Sequence, residues 1–208
     1  METVFFIIVL LFAVVVHEIS HGAVANALGD PTAKYAGRLT LNPLKHLDSW
    51  GSFFVPLMLL VFSGGRFVFG WAKPVPYNPY NLRYQRWGPA LVGLAGPAAN
   101  FSLAVLFAGL IRLADYYGFG LTPFFLFFHV IVWINLVLGT FNLLPIPPLD
   151  GSKILFAVLP YSWQSLKIFL EQYGFLILVL FLFFGFRLLI PLIISIYGIL
   201  VGPSPLLM

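Results

Sequence analysis

VFFIIVLLFAVVVHEISHGAVANAL, residues 4–28, is an apolar run that carries His17, Glu18, Ser20 and His21 within it. A helix of about 20 apolar residues crosses the ~30 Å hydrocarbon core of a bilayer, so the run reads as a transmembrane helix with polar side chains embedded in it. It has no basic leading region and no small-residue cleavage site, and does not read as a removable signal peptide. The remaining sequence is of the same kind. Of 208 residues, 61% are hydrophobic and only 9% charged, with a mean hydropathy of +0.99. A soluble domain is about 25% charged, which excludes an ordinary soluble protein. The same composition excludes a disordered chain, and nothing suggests a nucleic-acid partner. The absence of cysteine excludes a disulfide framework, thiolate metal ligands and a cysteine nucleophile. The net charge of +4 fits basic loops facing an anionic leaflet. The expectation is an all-α polytopic membrane protein: one domain over residues 1–208 with about four to six transmembrane segments.

Outward from the first run, residues 29–50 are polar and residues 53–62 form an apolar stretch too short for a comfortable span. Phe67, Phe69 and Trp71 alternate, suggesting a short β-like segment. Residues 88–111 and 122–142 read as spans. After Asn142 the helix must fail, because Pro145, Pro147 and Pro148 follow. A last apolar region, 175–201, is interrupted by Arg187 and Pro191 and reads equally as one bent helix or a hairpin. The motif-bearing part covers about residues 1–167, and a C-terminal transmembrane region follows over about 168–208.

If 53–62 dips in and returns, then Lys34, Arg38, Lys45, Arg66, Lys73, Arg83, Arg86, Lys153 and Lys167 share one face. The positive-inside rule makes that face cytoplasmic and puts the N-terminus outside a multi-pass cell-membrane protein. A full crossing would split these basic residues between the two sides, so the re-entrant reading is preferred.

His17-Glu18-Ile19-Ser20-His21 is an H-E-x-x-H motif. On a helix the two imidazoles lie one turn apart on one face and can bind a single Zn²⁺. Glu18 projects about 100° away, within reach of a metal-bound water. A charged group at mid-bilayer costs at least about 2.5–3.5 kcal/mol, so Glu18 needs a reason to be there. The alternative is an interhelical hydrogen-bond network without metal. A catalytic zinc site has three protein ligands, and Asp150 is the best candidate for the third. It follows the proline-broken run Asn142-Leu143-Leu144-Pro145-Ile146-Pro147-Pro148-Leu149, and broken backbone at membrane depth is tolerated where it lines a polar cavity. Its plainer reading is a helix cap beside Gly151. The non-crossing topology brings Asp150 out on the same side as the histidines. Zn²⁺, Asp150, Glu18 and two neutral imidazoles sum to zero charge, a neutral cluster that is cheaper to bury than its parts.

H-E-I-S-H in a transmembrane helix, Gly96-Pro97-Ala98-Ala99-Asn100, and N-L-L-P-I-P-P-L-D-G at 142–151 together resemble the site-2 protease family of intramembrane zinc metalloproteases (peptidase M50-like). The likeness is to its minimal bacterial members without a PDZ or CBS domain. The resemblance implies a three-helix catalytic core and one Zn²⁺ per chain held by His17, His21 and Asp150, with Glu18 as general base and proton donor. It implies that Asn142 holds the substrate carbonyl or its oxyanion; closing the broken backbone is the alternative role. Gly96, Pro97 and Asn100 read as close helix packing. His46 recurs in similar segments and reads as a loop or gate residue, while His129 and Asn135 read as interhelical hydrogen-bond partners. The partners implied are a membrane protein with a transmembrane segment and the lipid bilayer. The expected reaction is peptide hydrolysis in or near that segment, with residues 67–73 offering an edge to the unwound substrate. Two rival classes remain: a catalytically silent scaffold, which would not need Glu18, and a metal transporter, which would show paired repeats.

Overall fold

The computed structural model describes residues 2–62, 64, 70, 72–118 and 123–202. All regular elements among them are helical. The α-helices are α1 (Glu2–Ala27), α2 (Thr32–Tyr35), α3 (Val55–Phe62), α4 (Gly88–Tyr116), α5 (Pro123–Asn142), α6 (Asp150–Val158), α7 (Gln164–Leu180) and α8 (Leu189–Val201). Segments Val4–Ala27, Gly88–Tyr116 and Tyr161–Val201 are long and apolar enough to cross a membrane. The 20-residue α5 adds a further apolar helix. This is an all-α polytopic membrane protein.

The helix directions follow from which residues meet. Along α1, Ala13 and His17 meet Asn100, His21 meets Val92, and Leu28 just beyond α1 meets Arg83 just before α4, so α1 and α4 are antiparallel. Phe5 stacks on Phe127, and Val9 and Ala13 pack with Ile134, so α5 runs parallel to α1. On the other side of α4 and α5, Ala104, Ala108, Ile111, Val132 and Leu136 pack against Leu189, Ile193, Tyr197 and Val201 of α8. The alanines on α4 let neighbouring helices approach closely, which drives association where lipid is as apolar as the side chains. His129 bonds the Tyr197 hydroxyl across α5 and α8, and Asn135 bonds Asn100 across α5 and α4, the interhelical roles expected of both.

Because α1 ends where α4 begins, the chain between them returns to the end of the bundle it left. The 2.8 Å bond from Arg83 N–H to Leu28 O closes that excursion. With the π-helical segment Ser49–Phe54 that runs directly into it, the eight-residue α3 makes a helical stretch over 49–62, still shorter than the roughly 20 residues of a span. The apolar stretch at 53–62 is therefore a non-crossing one. The proposed edge at Phe67, Phe69 and Trp71, and most of residues 67–73, lie outside the described residues.

Asp30 fastens the end of this excursion to α1. Its Oδ1 accepts from the Thr32 hydroxyl (2.6 Å) and Asn81 Nδ2 (2.9 Å), and its Oδ2 accepts from Asn78 N–H (2.6 Å). Burial alone would raise this carboxyl's pKa, but the bonds from Thr32, Asn81 and Asn78 outweigh it and lower the pKa below the ordinary value. Asn78 and Asn81 are thereby held beside the end of α1.

The tail is one helical segment rather than a hairpin. Residues Phe181–Gly185 take π geometry and Phe186–Leu188 take 3₁₀ geometry, and the helix continues into α8. Arg187 and Pro191 do not break it. Pro191 follows directly on the Phe186–Leu188 3₁₀ turn, where the helical hydrogen-bond pattern has already changed. The segment is packed on the Asn142–Asp150 connection at Gly174, where an added Cβ would lie 2.6 Å from Pro147 O.

Candidate metal centre

His17 and His21 sit on the face of α1 that meets Gly96 of α4. A Cβ at Gly96 would come within 2.5 Å of His17 Nε2 and 2.6 Å of His21 Cε1, so only glycine leaves room for the two rings. The rings stand nearly perpendicular, with centroids 4.6 Å apart.

Each imidazole is oriented through Nδ1. His17 Nδ1 donates to Asn100 Oδ1 (2.7 Å), and His21 Nδ1 donates to Val92 O (2.6 Å). The Asn100 amide is itself fixed, because its Nδ2 donates to Ala13 O (3.3 Å) and Asn135 Oδ1 (2.9 Å). Since a carbonyl oxygen can only accept, both Nδ1 atoms carry hydrogen, and in the neutral rings both Nε2 atoms present lone pairs.

Those lone pairs converge on one oxygen. His17 Nε2 and His21 Nε2 each lie 3.0 Å from Asp150 Oδ2, and all three side chains are buried. Three acceptors facing one another repel unless a cation or protons lie between them. Ligand atoms around a tetrahedral zinc, bonded at 2.0–2.1 Å, stand roughly 3.3 Å apart, so the donor set fits such an ion in number, type and spread. His17, His21 and Asp150 are the group of histidine and carboxylate ligands, among the described residues, that converges closely enough to hold a metal ion.

Asp150 reaches the histidines because the Asn142–Asp150 connection folds back under α6. A Cβ at Gly151 would overlap the carbonyls of Leu143 and Leu144, so glycine is required for this return. Ser152 Oγ donates to Leu149 O (2.6 Å) and closes the first turn of α6. Asp150 is the first residue of α6, as the cap reading has it, but its carboxylate points to the histidines.

Glu18 does not join the cluster. Its Oε2 accepts from Val75 N–H (2.8 Å) in the 72–78 segment. Asn142 Nδ2 donates to Leu138 O one turn back (3.0 Å), and among the described residues no partner takes its second N–H. His46 is buried away from the cluster. Its Nε2 meets Thr40 O (2.9 Å), and its carbonyl accepts from Lys73 N–H (2.9 Å), tying the 40–46 turn to the 72–78 segment.

Three groups at the centre were not assigned to it from sequence. Asn100 orients His17 directly, beyond the packing role its motif suggests; the signal was an amide one turn after Gly96 on an apolar helix. Lys153, counted only among orienting charges, lies 2.9 Å from Asp150 Oδ1. It adds one positive charge to the neutral sum of ion, carboxylates and imidazoles. The i, i+3 spacing of Asp150 and Lys153 was the available sign. The third, the Val75 main chain, carries no side-chain signature.

The sequence signature of peptidase family M50 matches residues 5–123 and 109–185. The chain is 40% identical over 183 residues to YwhC of Bacillus subtilis, a protein named as a candidate zinc metalloprotease, covering 85% of this chain and 80% of YwhC. It is 33% identical over 180 residues to Rip2 of Mycolicibacterium smegmatis, named in the same way, covering 83% of this chain and 64% of Rip2. Over 80 residues, 38% of this chain and 22% of the relative, it is 31% identical to the zinc metalloprotease MJ0392 of Methanocaldococcus jannaschii. No solved structure matches the chain. With the family signature running through both the histidine-bearing helix and the aspartate that meets it, the chain belongs to peptidase family M50 and is a metalloprotease.

Proposed function

We propose that the chain is an intramembrane endopeptidase that holds one zinc ion with His17, His21 and Asp150. The observation that carries this reading is the convergence of both Nε2 atoms on Asp150 Oδ2 at 3.0 Å, with both Nδ1 hydrogens already committed. When bound, zinc supplies Lewis acidity, which polarises a scissile carbonyl and lowers the pKa of water toward about 7.

Glu18 serves as general base. It accepts a proton from the attacking water at its carboxylate and passes it to the leaving amine, so that one carboxyl acts as base and then acid. Val75 N–H holds Oε2 while the other oxygen stays available for that exchange. Asn142 donates its remaining N–H to the substrate carbonyl oxygen as charge develops there. His46 acts as a loop residue, tying the 40–46 turn to the 72–78 segment that meets Glu18.

The substrate is a membrane protein cleaved in or beside a transmembrane segment, because the histidines and Asp150 are buried among helices apolar enough to be lipid-embedded. The end of the bundle near His21 carries Arg83, Arg86 and Lys153, whereas Arg112 bonds Ile199 O and Leu200 O at the opposite end. By the positive-inside rule the centre lies toward the cytoplasm and the N-terminus outside, in a multi-pass cell-membrane protein.

The test is cleavage of a membrane-embedded substrate by reconstituted protein, with zinc content measured in parallel. Glu18→Gln should retain zinc and lose cleavage. Equal cleavage by wild type and Glu18→Gln would overturn the mechanism.

A further inference from the structure

We infer that the 36–47 turn and the 72–76 segment form a second site, one that binds a phosphate-bearing anion. The observation behind it is an uncompensated guanidinium. Arg38 is only 7% exposed. Its Nη2 donates to Lys73 O (2.7 Å) and Pro74 O (3.3 Å), and its Nε is buried without a hydrogen-bond partner. Among the described residues no carboxylate pairs with Arg38, Lys45 or Lys73. A buried charge with no opposite charge beside it is costly, and main-chain oxygens offset only part of that cost.

Arg38 opens onto a cavity of about 480 Å³ that Lys45 and Lys73 also line. That volume lies within the usual range for small-molecule sites. Three cations with no acidic counterpart suit an anion with several acceptor oxygens, and a guanidinium matches the geometry of phosphate.

The remaining lining indicates the source. Leu44 (74% exposed), Leu47 and Pro76 border the cations with apolar surface. Cations beside exposed leucines match a phospholipid, with the headgroup on Arg38, Lys45 and Lys73 and an acyl chain along Leu44 and Leu47. Inorganic phosphate would satisfy only the first half of this surface. The pocket wall at Lys73 and Pro74 directly precedes Val75, so an occupant would brace the same main chain that meets Glu18.

The test uses the full chain in detergent and native mass spectrometry, with dioctanoyl phosphatidylglycerol, dioctanoyl phosphatidylcholine and inorganic phosphate as separate probes. One phosphatidylglycerol per chain is expected, bound more tightly than phosphatidylcholine. Arg38→Gln should weaken it about tenfold or more, the loss of one charge-assisted contact. The exposed pair Lys45→Gln with Lys73→Gln carries the test if Arg38→Gln fails to fold. Lys167→Gln, outside the cavity, serves as a control and should bind as wild type. Inorganic phosphate binding as tightly as phosphatidylglycerol, and lost in the same variants, keeps the site and assigns it to a free anion. Phosphatidylglycerol binding unchanged in the Lys45→Gln, Lys73→Gln protein would overturn the proposal.

Discussion

Asn100 holds His17 from behind: its Oδ1 accepts from His17 Nδ1 at 2.7 Å, across an interface between antiparallel helices. One side chain on α4 thereby determines which nitrogen of a histidine on α1 faces Asp150. Because Asn100 Nδ2 is committed to Ala13 O and Asn135 Oδ1, the amide cannot flip without breaking two further bonds.

Asn100→Leu keeps the branched shape and removes this acceptor. Metal affinity should fall about 10–100-fold, the usual cost of losing the group behind a metal-bound histidine. Competition with a zinc chelator measures this independently of cleavage. Asn135→Leu, one bond further from the histidine, should have a smaller effect.

Gly96 and Gly109 lie on the same helix in opposite circumstances. Gly96→Ala drives a methyl group into both imidazoles, so metal binding should be lost and stability reduced by about 1–3 kcal/mol. A Cβ at Gly109 meets nothing within 4 Å, so Gly109→Ala should be neutral or stabilise by roughly 0.5–1 kcal/mol. Thermal melts and zinc content of the two variants compare these outcomes directly.

Gly151→Ala places a methyl group against the Leu143 and Leu144 carbonyls, which are main chain and cannot swing aside. The fold-back then opens and Asp150 moves off the histidines, so the purified variant should contain no stoichiometric zinc. Ser152→Ala, the next residue, loses only the Oγ bond to Leu149 O, costs about 1 kcal/mol and should retain zinc.

The Asp30 carboxyl has a folded pKa below its unfolded value. Its stabilising contribution is therefore complete above the unfolded pKa, near 4, and is lost as pH falls through the lower folded pKa. The melting temperature of wild type should drop over that acid range. Asp30→Asn should be less stable at pH 7, by about 1.5–3 kcal/mol for bonds to a charged acceptor, and should flatten that acid dependence. Melts from pH 3 to 7 on both proteins check the sign.

The helical spans, the non-crossing excursion and the His17–His21–Asp150 meeting were legible because lipid enforces them. An ionisable residue in an apolar run has few admissible partners, and the basic residues fix which ends coincide. What the sequence did not reveal is of another kind. Val75 acts through its main-chain N–H, which every residue but proline possesses. Lys153 acts at a distance fixed by how α6 folds under the connection. The tail was ambiguous because Arg187 and Pro191 resemble a break, whereas the change to π and 3₁₀ geometry at Phe181–Leu188 absorbs both within a continuous helix.

His17 and Asp150 are 133 residues apart in the chain. At synthesis rates of 5–20 residues per second, the aspartate leaves the ribosome on the order of ten seconds after the histidines. Throughout that interval α1 can already be in the bilayer with the third of its three ligands absent. Assembly order thus acts as a safeguard, because a hydrolytic centre whose ligands lie on helices made seconds apart cannot cut before those helices have met.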